Sequence, residues 1–241
     1  MATGSSYQIG ILGLGRFGAA FAGLTRAHGL PTLAFDPRHS EGSATSLEEV
    51  VRTADVLIVA VPVENLVETL RACAPLLRPE QLVIDVCSVK VEPEAHMREI
   101  IGERARWIAS HPLFGPVSLS RGEPRTVVLC PRLDASEITD AASAFYRAIG
   151  CELAVVSAEE HDRVMSRTHV LAFFVARALQ DIGAASAPFA PPSFKSMAHV
   201  VSLVREDAGH LFTAIQTGNP FAKEARRELI EALRKIDAEI G

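Results

Sequence analysis

Residues 7–18 read YQIGILGLGRFG, and the fold turns on this stretch. An apolar run (Ile9, Ile11, Leu12) enters Gly13-Leu14-Gly15-Arg16-Phe17-Gly18, and apolar residues then recur at helical spacing through Ala19, Phe21, Ala22 and Leu24. The pattern predicts strand, tight turn and helix. In such a turn Gly13 makes the bend, Gly15 lets the backbone approach a pyrophosphate, and Gly18 lets the helix pack on the strand. The anion would rest on the helix N-terminus beside Arg16 and Phe17, where free N–H groups and the helix dipole favour negative charge. Three glycines alone could mark only a strand-to-helix turn. Their context says more, because a second apolar run, Pro31 to Phe35, ends in Asp36, eighteen residues after Gly18. A carboxylate there accepts both ribose hydroxyls of NAD and repels the 2′-phosphate of NADP, so NAD is the expected cofactor. Arg38 lies close enough to greet a 2′-phosphate, which keeps NADP as the lesser alternative.

The chain of 241 residues suits one large domain or two modest ones. With 48% hydrophobic and 22% charged residues, it leaves no room for a spanning segment of about 20 apolar residues, and no membrane partner is expected. The start, MATGSSYQ, lacks the basic and apolar regions of a signal peptide, which points to the cytoplasm. Cys73, Cys87, Cys130 and Cys151 form no CxxC pair and read as reduced, partly buried thiols, with no metal site. A net charge of −5 offers no basic stripe to nucleic acid. An anionic substrate would have to meet a few local cations.

Beyond Asp36, Ser46-Leu47-Glu48-Glu49 opens a short helix with a serine cap and an acidic first turn. The run 54–62, ADVLIVAVP, is continuous enough for a buried parallel strand; a helix follows over about 66–77, and Gln81 to Val86 is the next strand. Alternating strands and helices predict a doubly wound sheet, whose ligands lie beyond the carboxyl ends of the strands. The loops after Gly13, Asp36, Val61-Pro62 and Val86 should therefore face one crevice.

Two stretches near that edge look chemical. Asp85-Val86-Cys87-Ser88-Val89-Lys90 puts a hydroxyl and an ammonium just past a strand end. Taken alone, Ser88 reads as the cap of the next helix and Lys90 as a solvated surface charge. In Ser110-His111-Pro112-Leu113-Phe114-Gly115-Pro116, His111 follows an apolar strand and precedes a proline-locked loop. A lone histidine is usually structural; at the carboxyl edge of a nucleotide-binding sheet it is instead the side chain best suited to take a proton near pH 7.

Thr126 to Cys130 and Glu152 to Val156 read as further strands, with a helix over 137–149 between them. The division expected is a dinucleotide-binding domain over 1–157 and an all-helical domain over 158–241. In the latter, 161–182 reads as one long helix, 183–192 as a break rich in small residues and proline, and 193–217 and 220–240 as helices. About 85 helical residues with so little polar surface on the first helix call for a partner to bury them, so this part reads as a homodimerisation domain that also closes the crevice.

In order and spacing, GLGRFG with Asp36, VPVENL, DVCSVK, HPLFGP and EEHDRV resemble the prephenate and arogenate dehydrogenases of tyrosine biosynthesis, over nearly the whole chain and most clearly from Tyr7 to Phe174. The resemblance implies that His111 removes the proton from the ring hydroxyl of a cyclohexadienyl carboxylate, and that Ser88 supports that hydroxyl or the histidine. It also implies helices interlocked between two subunits. The sequence departs from better-known members at two places. Counting from His161-Asp162, the histidine of an L-(T/P)-H triplet falls at Phe173; counting back from Asp207, a carboxylate-clamping arginine falls at Ser202. His169 lies one helical turn before Phe173. Arg205, Lys195 and Arg167 are the candidate cations for the substrate carboxylate.

The expected reaction is NAD-dependent oxidative decarboxylation of prephenate to 4-hydroxyphenylpyruvate. Arogenate, or an amino-substituted prephenate, is the alternative substrate. A β-hydroxyacid or imine dehydrogenase would want a lysine on the long helix, and none occurs between His161 and Ile182. A protein that senses NAD without turnover is the more remote reading. No separate regulatory domain is expected, so feedback by tyrosine would act at the active site.

Overall fold

The strands are β1 (Ile9–Leu12), β2 (Thr32–Phe35), β3 (Val56–Val59), β4 (Leu82–Asp85), β5 (Arg106–Pro112), β6 (Thr126–Cys130) and β7 (Glu152–Val155). In the computed structural model, which describes residues 7–39, 42–132, 135–206 and 210–241, they form one sheet in the order β2-β1-β3-β4-β5-β6-β7. The chain divides into two compact units, Met1–Ala158 and Glu159–Gly241.

The three strands β1, β3 and β4 are buried at every residue, as their continuous apolar runs require. Successive side chains enter two different cores. Ile9, Ile11, Val56, Ile58, Leu82 and Ile84 meet Phe21, Phe145 and Tyr146 from the helices Arg16–Ala27 and Ser136–Ala148 on one face. Leu12, Leu57, Val59 and Val83 meet Val50, Leu66, Leu70 and Met97 from three helices on the other. Period-two alternation thus feeds both layers of a doubly wound, Rossmann-type sheet, each fully buried aliphatic side chain contributing about 1.5–3 kcal/mol. The helix Leu47–Thr53 starts where expected, its Ser46 hydroxyl accepting from Glu49 N at 3.1 Å.

β1 to β5 are mutually parallel, whereas β6 runs antiparallel to β5. The connection 113–125 holds only the five-residue helix Pro116–Ser120, which has no counterpart in the expectation from sequence. So short a helix does not carry the chain back across the sheet, and it returns alongside β5 instead.

The second unit is helical throughout. Its core gathers Val170, Phe173, Ala176, Val201, Val204, Ile215 and Ala222. Where one regular helix over 161–182 was expected, the structure has Ala158–Met165, a wide π turn Ser166–Val170, and Leu171–Asp181. Such wide turns are rare and frequently sit at functional sites. The following helices are Pro192–Glu206, His210–Gly218 and Ala222–Ile240. Among the described residues, no helix is long and apolar enough to cross a membrane.

Candidate active site

Strand register sets the site. Phe35, Leu12, Val59, Asp85 and Ala109 pair in succession and form one row across the parallel sheet. Asp36, Gly13 and Val86 follow immediately beyond that row, Val61, Pro62 and Ser88 a little further, and His111 two residues beyond Ala109. The predicted residues of the first unit therefore share the carboxyl edge of the sheet, where open α/β sheets bind their ligands.

The glycine turn fits a dinucleotide. Gly13 has φ +97°, and a Cβ there would lie 2.6 Å from the Ala60 carbonyl oxygen. A Cβ on Gly18 would overlap the Gly13 carbonyl oxygen, so the helix packs against the turn with no space for a side chain. Around Gly15, the N-cap of the helix, a Cβ would meet nothing within 4 Å. Space is thus left in front of the helix N-terminus, where a pyrophosphate is best received. Arg16 is exposed there, and the Phe17 ring stacks on Phe21 with centroids 5.5 Å apart and lies tilted against Phe114 of the His111 loop with centroids 6.2 Å apart.

Asp36 is buried and braces the turn: Oδ2 accepts from Leu14 N and Oδ1 from Arg38 N, both at 2.8 Å, with His39 Nδ1 at 3.2 Å from Oδ2. Burial pushes its carboxyl pKa up, but the two amides and His39 together outweigh that and hold it below its ordinary value. A carboxylate has about four acceptor positions, so capacity remains for ribose hydroxyls. Arg38 is exposed; Val61 and Pro62 line the edge half-buried. Gly13, Gly15, Gly18, Asp36 and the 61–62 turn are the residues that could hold a dinucleotide.

His111 is 5% exposed and is fixed between Ser110 and Pro112 at the end of β5. Beneath it lies a network that sequence reasoning missed. Lys90 is not a surface charge: its side chain is fully buried in an ion pair with fully buried Asp85. Lys90 Nζ also donates to the Ser110 carbonyl at 2.6 Å, and Asp85 Oδ1 accepts from Cys87 N at 2.9 Å. Ser110 Oγ donates to the Asp85 carbonyl at 2.8 Å and lies 2.7 Å from the Tyr146 hydroxyl. Burial keeps the Tyr146 phenol well above its ordinary pKa, so it stays protonated. Ser88 is half-buried and does not cap the next helix, whose N-cap position is Lys90. The available signal was Asp85 itself, an acid closing an apolar strand and hence in need of a buried partner.

The four cysteines are free and buried. Burial pushes the thiol pKa to about 12 at Cys73 and about 11 at Cys151, and also raises that of Cys87, with Asp85 adding to the effect. None of these three is a poised nucleophile. Among the described residues, no group of three or more His, Cys, Asp and Glu could hold a metal ion.

In the helical unit, His169 meets Phe173 edge-on, with ring centroids 4.7 Å apart and an interplanar angle of 88°. Phe173 is buried in the core, and Ser202 Oγ donates to the His199 carbonyl at 2.7 Å. Arg167 pairs with Glu228, and Lys195 is exposed on the helix Pro192–Glu206. The side chain of Arg205 and all of Asp207 lie outside the described residues.

A glycine turn from β1 into a helix, a carboxylate ending β2 and a parallel carboxyl edge define an NAD-binding protein of Rossmann type. Residues 41–154 match the family model "Prephenate dehydrogenase, nucleotide-binding domain", and residues 3–72 match "D-isomer specific 2-hydroxyacid dehydrogenase, NAD binding domain". The chain is similar to the prephenate/arogenate dehydrogenases, and its family match lies within the nucleotide-binding unit. It is 27% identical over 197 residues to a probable arogenate/prephenate dehydrogenase of Methanocaldococcus jannaschii, covering 78% of this chain and 44% of that one, and so spans less than half of that relative's length. It is 26% identical over 225 residues to a 4-amino-4-deoxyprephenate dehydrogenase of Streptomyces pristinaespiralis, covering 89% of this chain and 73% of the other. The fold is shared with the crystal structure of prephenate dehydrogenase from A. aeolicus in complex with hydroxyphenyl propionate and NAD+. The TM-score is 0.78 at 21% identity, over 99% of this chain and 92% of that one.

Proposed function

We propose that the chain catalyses oxidative decarboxylation of prephenate to 4-hydroxyphenylpyruvate, with NAD rather than NADP as cofactor and His111 as general base. The observation that carries this reading is the position of His111, buried beyond the same row of strand ends that presents the glycine turn and Asp36. NAD, when bound, supplies the acceptor for a hydride from the ring carbon that bears the hydroxyl. His111 takes the hydroxyl proton as that C–H bond breaks, so the oxygen becomes a ketone. The bond to the ring carboxylate then breaks, its electron pair makes the ring aromatic, and the former ketone oxygen takes up a proton to become the phenol. Loss of carbon dioxide makes the sequence irreversible. Ser88 orients the hydroxyl or the imidazole, and general-base help of this kind contributes about 10²- to 10⁴-fold.

The helical unit supplies the carboxylate contacts. His169, Lys195 and Arg205 are the candidates, while Arg167 would first have to leave Glu228. The same unit has an apolar groove of about 310 Å³ lined by Leu171, Val175, Leu179, Met197, Val200 and Leu229. We assign that groove to the other subunit of a homodimer, which light scattering tests. Four free thiols suit the cytoplasm.

Arogenate or an amino-substituted prephenate is the second reading. It is favoured by Phe173 and Ser202 at the two places where the family resemblance leads one to expect a histidine and an arginine, and by the name of the Streptomyces relative. The test is NADH formation from NAD with prephenate, with arogenate or with 4-amino-4-deoxyprephenate, and again with NADP as cofactor. Turnover of prephenate with NAD is expected. Turnover of an amino substrate alone would establish the second reading, and NAD binding with no turnover would leave a sensor.

A further inference from the structure

Gln216 and Asn219 stand at the end of the helix His210–Gly218 and in the turn after it, and each gives its side-chain amide to a backbone carbonyl of the bulged helix. Gln216 Nε2 donates to Val170 O at 2.8 Å, and Asn219 Nδ2 donates to Asp162 O at 2.7 Å. These two carbonyls bracket the wide turn Ser166–Val170. Both amides are buried, at 7% and 3% exposure.

Their neighbours fix which end of each amide donates. Arg226, a donor only, gives Nη1 to Gln216 Oε1 at 2.9 Å and to the Gln216 carbonyl at 2.8 Å. Asn219 Oδ1 accepts from Phe221 N at 2.9 Å. Each nitrogen is therefore committed to the helix it faces. The lower grip is reinforced by buried His161, whose Nδ1 lies 2.8 Å from Asp162 Oδ1. Fully satisfied buried amides of this kind select one backbone geometry, because any other leaves a polar group unpaired in the core.

We propose that Gln216 and Asn219, with Arg226 behind Gln216, form a positioning clamp that keeps the Ser166–Val170 turn wide and so sets His169 for contact with the substrate. The inference rests on the reading that His169 meets the substrate. Relaxation to a regular α-helix would rotate the residues before the turn by about 100° relative to those after it. His169 would lose its edge-on contact with Phe173, and its imidazole would point elsewhere.

Gln216→Glu tests this in the whole 241-residue chain. The substitution keeps the shape and the Arg226 contact and turns the donor facing Val170 O into an acceptor that repels it. Prephenate KM should rise about tenfold in Gln216→Glu and in His169→Gln, with the NAD Kd within about twofold of the parent. The double variant should be no worse than either single one, since both act along one path. The ring-proton shifts of His169, which carry the ring current of Phe173, should move in Gln216→Glu. If those shifts stay in place, the clamp is refuted whatever the kinetics. If they move while His169→Gln leaves KM untouched, the clamp stands and the substrate contact falls. Should Gln216→Glu not fold, Arg226→Met frees the Gln216 amide and takes its place, with the same ring-proton shift expected and its absence equally decisive.

Discussion

Lys90 and Asp85 form an ion pair with neither side chain exposed, and the same ammonium holds the carbonyl of Ser110, the residue immediately before His111. A single buried charge therefore ties the end of β4 to the last residues of β5, among which the proposed base sits. Taking two ions out of water is costly, and a buried pair adds little stability over an apolar replacement. What the pair does supply is a fixed geometry, because Cys87 N, Ser110 Oγ and Tyr146 complete the network around it.

Lys90→Met should destabilise the protein by about 3–5 kcal/mol, since it leaves the Asp85 carboxylate buried with no counter-charge. Chemical denaturation measures this directly. Asp85→Leu combined with Lys90→Met should recover much of the loss, because neutral side chains then fill the same volume. Even so, the double variant should stay impaired in kcat, as nothing holds the Ser110 carbonyl. A double variant with parental kcat would show that the network serves folding alone.

Gly15 and Gly18 should respond to alanine in opposite ways. A methyl on Gly18 runs into the Gly13 carbonyl, so Gly18→Ala should lower Tm sharply or prevent folding. A methyl on Gly15 meets nothing, so Gly15→Ala should keep its Tm and weaken NADH binding by at least about tenfold by occupying the space before the helix N-terminus. Differential scanning fluorimetry and NADH fluorescence titration separate the two effects.

Local order explains what was legible in the sequence. The helix from Arg16 to Ala27, the Ser46 cap and the Asp36–Arg38 turn rest on neighbours within a few residues, and each appears where the pattern placed it, although Asp36 also reaches across to Leu14 N. Lys90 read as solvated because its burial depends on Asp85 and Ser110, and the latter is brought beside it only by the pairing of β4 with β5. The wide turn at Ser166–Val170 was invisible for a similar reason. SRTHV contains no glycine or proline to break a helix, and the amide gripping Val170 comes from Gln216. The direction of β6 likewise follows from a short connection, and not from its own apolar run.

His111→Asn should retain NAD binding and lose about 10²- to 10⁴-fold in kcat, as expected when a general base is replaced by a group that cannot take a proton. Isothermal titration with NAD and steady-state NADH formation provide the two readings. An asparagine variant with kcat within about threefold of the parent would remove His111 from the reaction.

Asp36 makes a prediction in acid. Its carboxyl pKa in the folded protein lies below the ordinary value of 3.8, so near that pH the folded state binds fewer protons than the unfolded chain. Stability from this group is whole above 3.8 and is lost as pH falls through the lower folded value. Asp36→Asn removes the charge but keeps an oxygen for one of the two amides, Leu14 N or Arg38 N. Its stability deficit should therefore be present at about pH 5 and should shrink below pH 4, as the parent carboxylate itself becomes protonated. Denaturant midpoints measured at intervals between pH 7 and pH 3 give the comparison. A deficit that persists unchanged at pH 3 would mean that the carboxylate braces the glycine turn by shape alone. NADH affinity of the same variant at pH 7 should fall about tenfold or more, because a neutral amide makes weaker hydrogen bonds to ribose hydroxyls than a carboxylate does.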